Sequence, residues 1–144
     1  MKWWNLIFNI ASALGSIGTF LTFLFLFFDK KKEYVKIQNE KKLALDKLNI
    51  CKREIQSLLN DEYSKENIID QCNEIILTLS EILGYKVIGD DICSNFSTYR
   101  YRISKAIDEI HNSDFDLAQN MNFDLMLSDL ESHVNLAISR LQKE

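Results

Sequence analysis

Residues 6–28, LIFNIASALGSIGTFLTFLFLFF, contain no charged side chain, and their reading decides how the rest of the chain is organised. As a helix this stretch spans roughly 35 Å, enough to cross a hydrocarbon core of about 30 Å with some tilt. Fourteen of its residues are Leu, Ile or Phe. Each favours insertion by roughly 0.3–0.6 kcal/mol, so together they outweigh the cost of Asn9, Ser12, Ser16 and Thr19. Trp3 and Trp4 stand just outside, where indole rings settle at a membrane interface. The expectation is a single transmembrane helix, with residues 1–29 as the anchor.

A cleaved signal peptide fits these residues less well. The apolar region is too long, the basic flank is on the wrong side, and no small-x-small site follows. Lys30, Lys31, Lys32 and Lys36 come after the span, against Lys2 and the amino terminus before it. Positive-inside bias therefore places residues 30–144 in the cytoplasm and the short N-terminus outside. Asn, Ile and Lys are abundant and Ala is scarce, as in AT-rich bacterial genomes and mobile islands. One span leading into a small cytosolic bundle occurs in several classes of small bacterial protein, and the expected location is the inner membrane.

Two stripes mark this helix as more than a plain anchor. Ala11, Gly15, Gly18 and Thr22 recur at spacings of four, three and four, keeping small residues on one face. Small residues let membrane helices approach closely, and the heptad-like spacing favours a left-handed bundle, so this face is an expected self-association seam. Beside it run Asn5, Asn9, Ser12, Ser16 and Thr19. In lipid these groups seek partners across a helix interface or along a wet lumen. The plainer reading is that the hydroxyls bond their own backbone and the asparagines sit near the interface. Phe20, Phe23, Phe25, Phe27 and Phe28 occupy the inner half, so a pore would need a hydrophobic constriction there.

Beyond the anchor the chain changes character. It has no proline, and Gly84 and Gly89 are the only glycines after residue 28, which argues for long helices over a β-rich fold. Residues 30–60 read as one helix continuing from the membrane. Residues 30–44 form its charged stalk, with Tyr34, Val35 and Ile37 among many charges. Residues 45–144 form a helical bundle, which Leu45, Leu48, Cys51, Ile55, Leu58 and Leu59 enter as a stripe. After a turn at Asn60 to Tyr63, Ser64 is the expected N-cap of a second helix, with Glu66 in its first turn. Its stripe is Ile68, Cys72, Ile75, Ile76, Leu79, Ile82 and Leu83, and Gly84 is placed at C′.

After a short apolar link from Tyr85 to Gly89, Asp90 or Asp91 caps a third helix. Its inner face is Ile92, Phe96, Tyr99, Ile103, Ala106, Ile107 and Ile110. A turn near Asn112 to Asp114 precedes a last helix, starting between Asp116 and Asn122. That helix carries Phe123, Leu127, Leu130, Val134, Ile138 and Leu141. Each helix buries one stripe, and short connections make an antiparallel bundle of about four helices the simplest packing. The fold class is all-α.

Charge divides along the chain. Residues 29–62 hold nine Lys and Arg against seven acids, whereas residues 63–144 hold seven against fourteen. The membrane-proximal part suits an anionic leaflet. The acidic bundle argues against duplex nucleic acid as a partner, because phosphate binding depends on basic surface.

Catalytic and metal signatures are lacking. Cys51, Cys72 and Cys93 are evenly spaced, but no CxxC pair accompanies them and His111 and His133 lie far off in sequence. Reduced, buried thiols are expected, with no metal site and no cofactor. The two histidines read as surface or capping residues. No GxSxG, P-loop, HExxH or dinucleotide fingerprint is present, so an enzyme is not expected.

One cluster stands out. Residues 97–105, STYRYRISK, hold two of the four arginines in the chain. On a helix Thr98, Arg102 and Lys105 share a face with Tyr101 beside them, and Arg100 and Lys86 are near enough to join. Guanidinium forks and a tyrosine suit a phosphate, a nucleotide or an acidic protein surface. The plainer reading is that these bases offset Asp108 and Glu109.

Taken together, these features lead to the expectation of a homo-oligomer, anchored in the lipid bilayer by its transmembrane helix, whose cytosolic bundle senses a signal or a protein partner and acts through that helix. An antiphage or abortive-infection effector is the natural setting. The alternatives are a non-enzymatic immunity or membrane-recruitment protein, and an effector gated by a signalling nucleotide near Arg100, Arg102 and Lys105.

Overall fold

The computed structural model describes residues 2–60, 64–112 and 121–143. They form four α-helices: α1 (Lys2–Asn60), α2 (Lys65–Ile82), α3 (Asp90–Asn112) and α4 (Met121–Lys143). A short 3-10 turn, Lys86–Ile88, lies between α2 and α3. No strand occurs among the described residues. The all-α class and the four-helix count follow the sequence reading. So does the continuity of the apolar segment with the first bundle helix: α1 is unbroken for 59 residues.

The chain divides into two compact units, Met1–Asn39 and Glu40–Glu144. The first consists of the N-terminal part of α1. Its apolar window is long and apolar enough to cross a membrane, and none of it is buried within the protein. Trp3, Trp4, Phe8, Leu14, Phe20 and Phe28 all stand exposed. Tyr34 and Val35 in the expected stalk are exposed as well, consistent with their many charged neighbours.

The second unit begins where α1 acquires partners. The Glu40 carboxylate accepts a hydrogen bond from the Lys86 amide at 2.5 Å. Ala44, Leu48, Cys51, Ile55 and Leu58 then turn inward at alternating spacings of four and three, and all are buried. Spacing of this kind keeps one stripe facing a neighbour along the whole helix.

Helix α2 starts as its sequence predicts. Ser64 holds an extended backbone, and its Oγ accepts from the Asn67 amide at 3.5 Å. Ile68, Cys72, Ile75, Leu79 and Ile82 are buried as expected, joined by Ile69 and Thr78. At the end of α2, Gly84 occupies C′ as expected. Gly84 follows the C-cap Leu83 but does not adopt a left-handed conformation; Gly89 is the positive-φ glycine among the described residues. The helix instead tightens, with the Gly84 amide donating to Glu81 O and the Tyr85 amide to Ile82 O, both at 3.0 Å. Such i→i+3 bonds satisfy orphan carbonyls without a left-handed residue.

The apolar character of the link between α2 and α3 comes from its contact with the core. Ile88 is buried there, and Tyr85 and Val87 pack against it. At Gly89, φ is 85° and ψ is 146°, a region open essentially only to glycine. Its carbonyl accepts from the Cys93 amide at 3.0 Å. That bond opens α3 and places Asp90 and Asp91 in the first turn rather than at the cap.

Cross-links show the up-down order. Along α1 and α2, Lys47 pairs with Glu81 and Glu54 with Thr78, so one helix ascends as the other descends. Along α3 and α4, Asp91 meets Arg140 at 2.5 Å and Tyr99 bonds Asp129. Gln56 Nε2 donates to Glu131 at 2.6 Å, which sets α1 beside α4 and closes the ring. The common core takes one stripe from each helix, with Phe96 its largest fully buried side chain. Asn60 and Asn112 are the last residues of their helices. The rest of the turns expected after them, and Asp116, lie outside the described residues.

Candidate functional site

Helix α3 holds the basic cluster because its stripe Ile92, Phe96, Tyr99, Ile103, Ile107 and Ile110 faces the core. The residues between are thereby turned outward. Arg100, Tyr101, Arg102 and Lys105 are all exposed. They do not converge on one point. Arg100 Nη1 donates to Ser80 Oγ at 3.3 Å, reaching toward α2. With Tyr101 it lines a groove of about 340 Å³ completed by Ile76, Ser80, Ser97 and Ser104.

Arg102 and Lys105 lie on a second groove, of about 260 Å³, whose other walls include Ala106, Phe123 and Met126. The Arg102 guanidinium sits 5.6 Å from the centre of the Tyr99 ring and Lys105 Nζ 5.0 Å from that of Tyr101. Cations over aromatic faces at such distances are attracted by the ring quadrupole. A hydrogen bond with Tyr101, aided by Glu109, holds the Lys105 ammonium above the usual lysine range. Of the two acids expected to offset these bases, Glu109 therefore does act on Lys105.

The remaining members of the cluster stand apart from it. Thr98 Oγ1 donates to its own helix, to Ser94 O at 3.1 Å. Lys86 is placed on the 3-10 turn, where its amide is taken by Glu40. The structure thus brings Arg102 and Lys105 together, sends Arg100 to the opposite side of α3, and leaves Thr98 and Lys86 out.

A different polar cluster went unseen in the sequence. The buried Tyr99 hydroxyl donates to Asp129 Oδ2. His133 Nδ1 lies 2.9 Å from the Asp129 carbonyl, 3.4 Å from the Tyr99 hydroxyl and 3.9 Å from Asp129 Oδ1. Because a carbonyl only accepts, that nitrogen carries the proton. The His133 ring packs on Tyr99 with centroids 5.3 Å apart. Burial, reinforced by the bond to Asp129, pushes the Tyr99 phenol up to about 12. The i, i+4 spacing of Asp129 and His133 was the signal available, and a histidine taken singly hid it.

The cysteines do not form a centre. Cys51 and Cys72 are buried, Cys93 partly so, and all three are free thiols. Burial pushes the Cys51 and Cys72 thiols up to about 12, far from the thiolate that binds metal or attacks carbonyls. Among the described residues no cluster of three or more potential ligands is suited to a metal ion. His111 is exposed at the end of α3.

In the apolar helix, Ser16 Oγ donates to Ala13 O at 3.1 Å and Thr19 Oγ1 to Gly15 O at 2.8 Å. Thr22 Oγ1 donates to Gly18 O at 2.9 Å. A Cβ built on Gly15 or Gly18 would meet nothing within 4 Å. No family model, curated protein or solved structure matches the chain.

Proposed function

We propose that the chain is a single-pass protein of the bacterial inner membrane, with its bundle in the cytoplasm. The bundle receives a signal or a protein partner and acts on the membrane through a self-associating α1. The observation that carries this reading is α1 itself. One unbroken helix supplies both the unburied apolar window and five buried core positions, Ala44, Leu48, Cys51, Ile55 and Leu58. A repacking of the bundle that shifts this helix is felt by every residue continuous with it. The proposed contact between copies runs along Ala11, Gly15, Gly18 and Thr22, and the proposed role is a non-enzymatic effector of the antiphage or abortive-infection kind.

The hydroxyls bear on what the membrane helix does. Ser16, Thr19 and Thr22 are satisfied on their own backbone, so they place no demand for a water-filled lumen. Close packing, rather than a polar pore, is the proposed mode of association.

The recruiting-protein reading is favoured over the nucleotide-gated one by the division of the basic cluster. Arg100 faces one groove and Arg102 with Lys105 another. Bases spread on both sides of one helix suit an extended acidic protein surface better than a single small anion.

Expression of the full chain in bacteria, with a potential-sensitive dye as readout, tests the proposal. The wild type is expected to depolarise cells. Gly15→Ile with Gly18→Ile is expected to abolish this while the bundle stays folded, because open space surrounds both glycines within the chain. Glu33→Pro, a breaker in the exposed stalk costing roughly 3 kcal/mol of helix, is expected to uncouple the bundle and give the same loss. Unchanged depolarisation in the glycine variant removes the seam. A harmless wild type that captures one protein partner establishes the recruiting alternative instead.

A further inference from the structure

The seam between α1 and α2 contains a carboxyl group that its surroundings do not serve. Glu54 precedes Ile55 on α1 and leans into the contact with α2. Its Oε1 accepts from the Thr78 hydroxyl at 3.3 Å, and Thr78 is itself buried. Its Oε2 is buried with no hydrogen-bond partner. Ionised carboxylates can accept about four hydrogen bonds, and one long bond leaves most of that capacity unmet.

The neighbouring charges do not make up the difference. From α2, Glu74 adds like charge. On α1, Lys47 and Arg53 act on the group more weakly than burial and Glu74 do. Lys47 is committed to Glu81, and Arg53 is exposed to solvent. Cys51, one turn back on α1, is held as a neutral thiol. On α4, Glu131 is engaged by Gln56. Burial therefore dominates and raises the Glu54 carboxyl above the usual carboxylate range.

We propose that Glu54 is a proton-operated latch in the bundle: taking up one proton tightens α1 against α2, and losing it loosens the seam. The protonated carboxyl loses its repulsion from Glu74 and no longer places a charge on the buried, unpartnered Oε2. The direction follows from linkage. A carboxyl whose folded-state pKa is raised binds its proton more tightly folded than unfolded. Stability is therefore gained as pH falls through that pKa and lost as pH rises through it. Acidification of the surrounding solution becomes a signal that this helix pair can register. The latch belongs to the bundle alone and does not depend on α1 assembling in a membrane.

The test is thermal unfolding of the full chain in mild detergent from about pH 5 to about pH 8, comparing wild type with Glu54→Gln. The variant is expected to melt at a higher temperature than wild type near the upper pH, with the gap closing toward the lower one. Glu74→Gln is expected to move the wild-type transition to lower pH by removing the like charge. Thr78→Val is expected to destabilise more at the upper pH than at the lower. A Glu54→Gln gap that does not change with pH, or a pH profile unmoved by Glu74→Gln, overturns the latch.

Discussion

Ile55→Ala and Ile37→Ala remove the same atoms from the same helix, yet their expected costs differ by several kcal/mol. Ile55 is fully buried, whereas Ile37 is 45% exposed. Truncation at Ile55 deletes three carbons, about 2.4 kcal/mol at roughly 0.8 kcal/mol per buried group. Links to α2 through Thr78 and to α4 through Gln56 flank the site, which restricts collapse of the cavity left behind. With that cavity included, the cost is about 3–4 kcal/mol, inside the range for buried Ile to Ala. At Ile37 the lost contact is small and alanine's better helix propensity returns roughly 0.4 kcal/mol, so the change stays within about 0.5 kcal/mol of zero.

For a bundle of roughly 105 residues, the Ile55 change corresponds to a fall in Tm of about 12–25 °C. Circular dichroism melts and urea titrations of the full chain in mild detergent read both variants, since the apolar segment stays helical in the micelle. Should Ile55→Ala lie within about 1 kcal/mol of Ile37→Ala, the C-terminal part of α1 is not a core helix, and the reasoning from α1 to the bundle fails with it.

Three other outcomes rest on local geometry. Gly89→Ala is expected to cost about 1–3 kcal/mol, because φ is 85° and the new Cβ would lie 3.2 Å from Asp91 Oδ1; Gly84→Ala, with no positive φ, is expected to cost less in the same melts. Tyr99, raised to about 12 from an ordinary 10.0, contributes stability that is present below the unfolded value and lost as pH rises from 10.0 to about 12. Ultraviolet titration of the phenols is expected to show one late tyrosine that disappears in Tyr99→Phe, whose alkaline unfolding is then less steep. Toward a disulfide reagent, Cys93 is expected to react first, with Cys51 and Cys72 following only as the bundle opens, since both are buried and held protonated near 12.

Helical periodicity made most of this fold legible. Phe96, Ile103, Leu127 and Val134 were each placed in the core by spacing alone, and each is fully buried. A stripe states which way a helix faces its neighbours, and four amphipathic segments with short links leave few packings. Periodicity fails where one residue has no pattern around it. Ala44 begins the buried stripe of α1, but between Leu43 and Leu45 the small alanine carries the weakest hydrophobic signal of the three. Gly84 and Gly89 both punctuate α2 and α3, and only the backbone distinguishes a 3-10 closure from a left-handed residue.

The site was legible in composition and not in geometry. The sequence grouped Thr98, Arg102 and Lys105 on one face with Arg100 near enough to join, but Arg102 and Lys105 line one groove and Arg100 another, while Thr98 lines neither. Which groove each side chain enters depends on α2 and α4. Tyr99, Asp129 and His133 meet because Asp129 and His133 share a turn of α4 while Tyr99 arrives from a different helix, 30 residues earlier in sequence. Glu54 was hidden for a related reason. Beside Ile55 it reads as an ordinary solvated acid, and its burial comes from the closeness of α2 rather than from its own neighbours.

The self-bonded hydroxyls of Ser16, Thr19 and Thr22 bear on how such a helix is made as well as on what it does. On the proposed reading, these three hydroxyls, already bonded within α1, would enter lipid without waiting for a second copy. On that reading the hydroxyls make no demand on a partner, and the proposed self-association is left to close packing. Contacts of that kind strengthen with the number of chains per area of membrane.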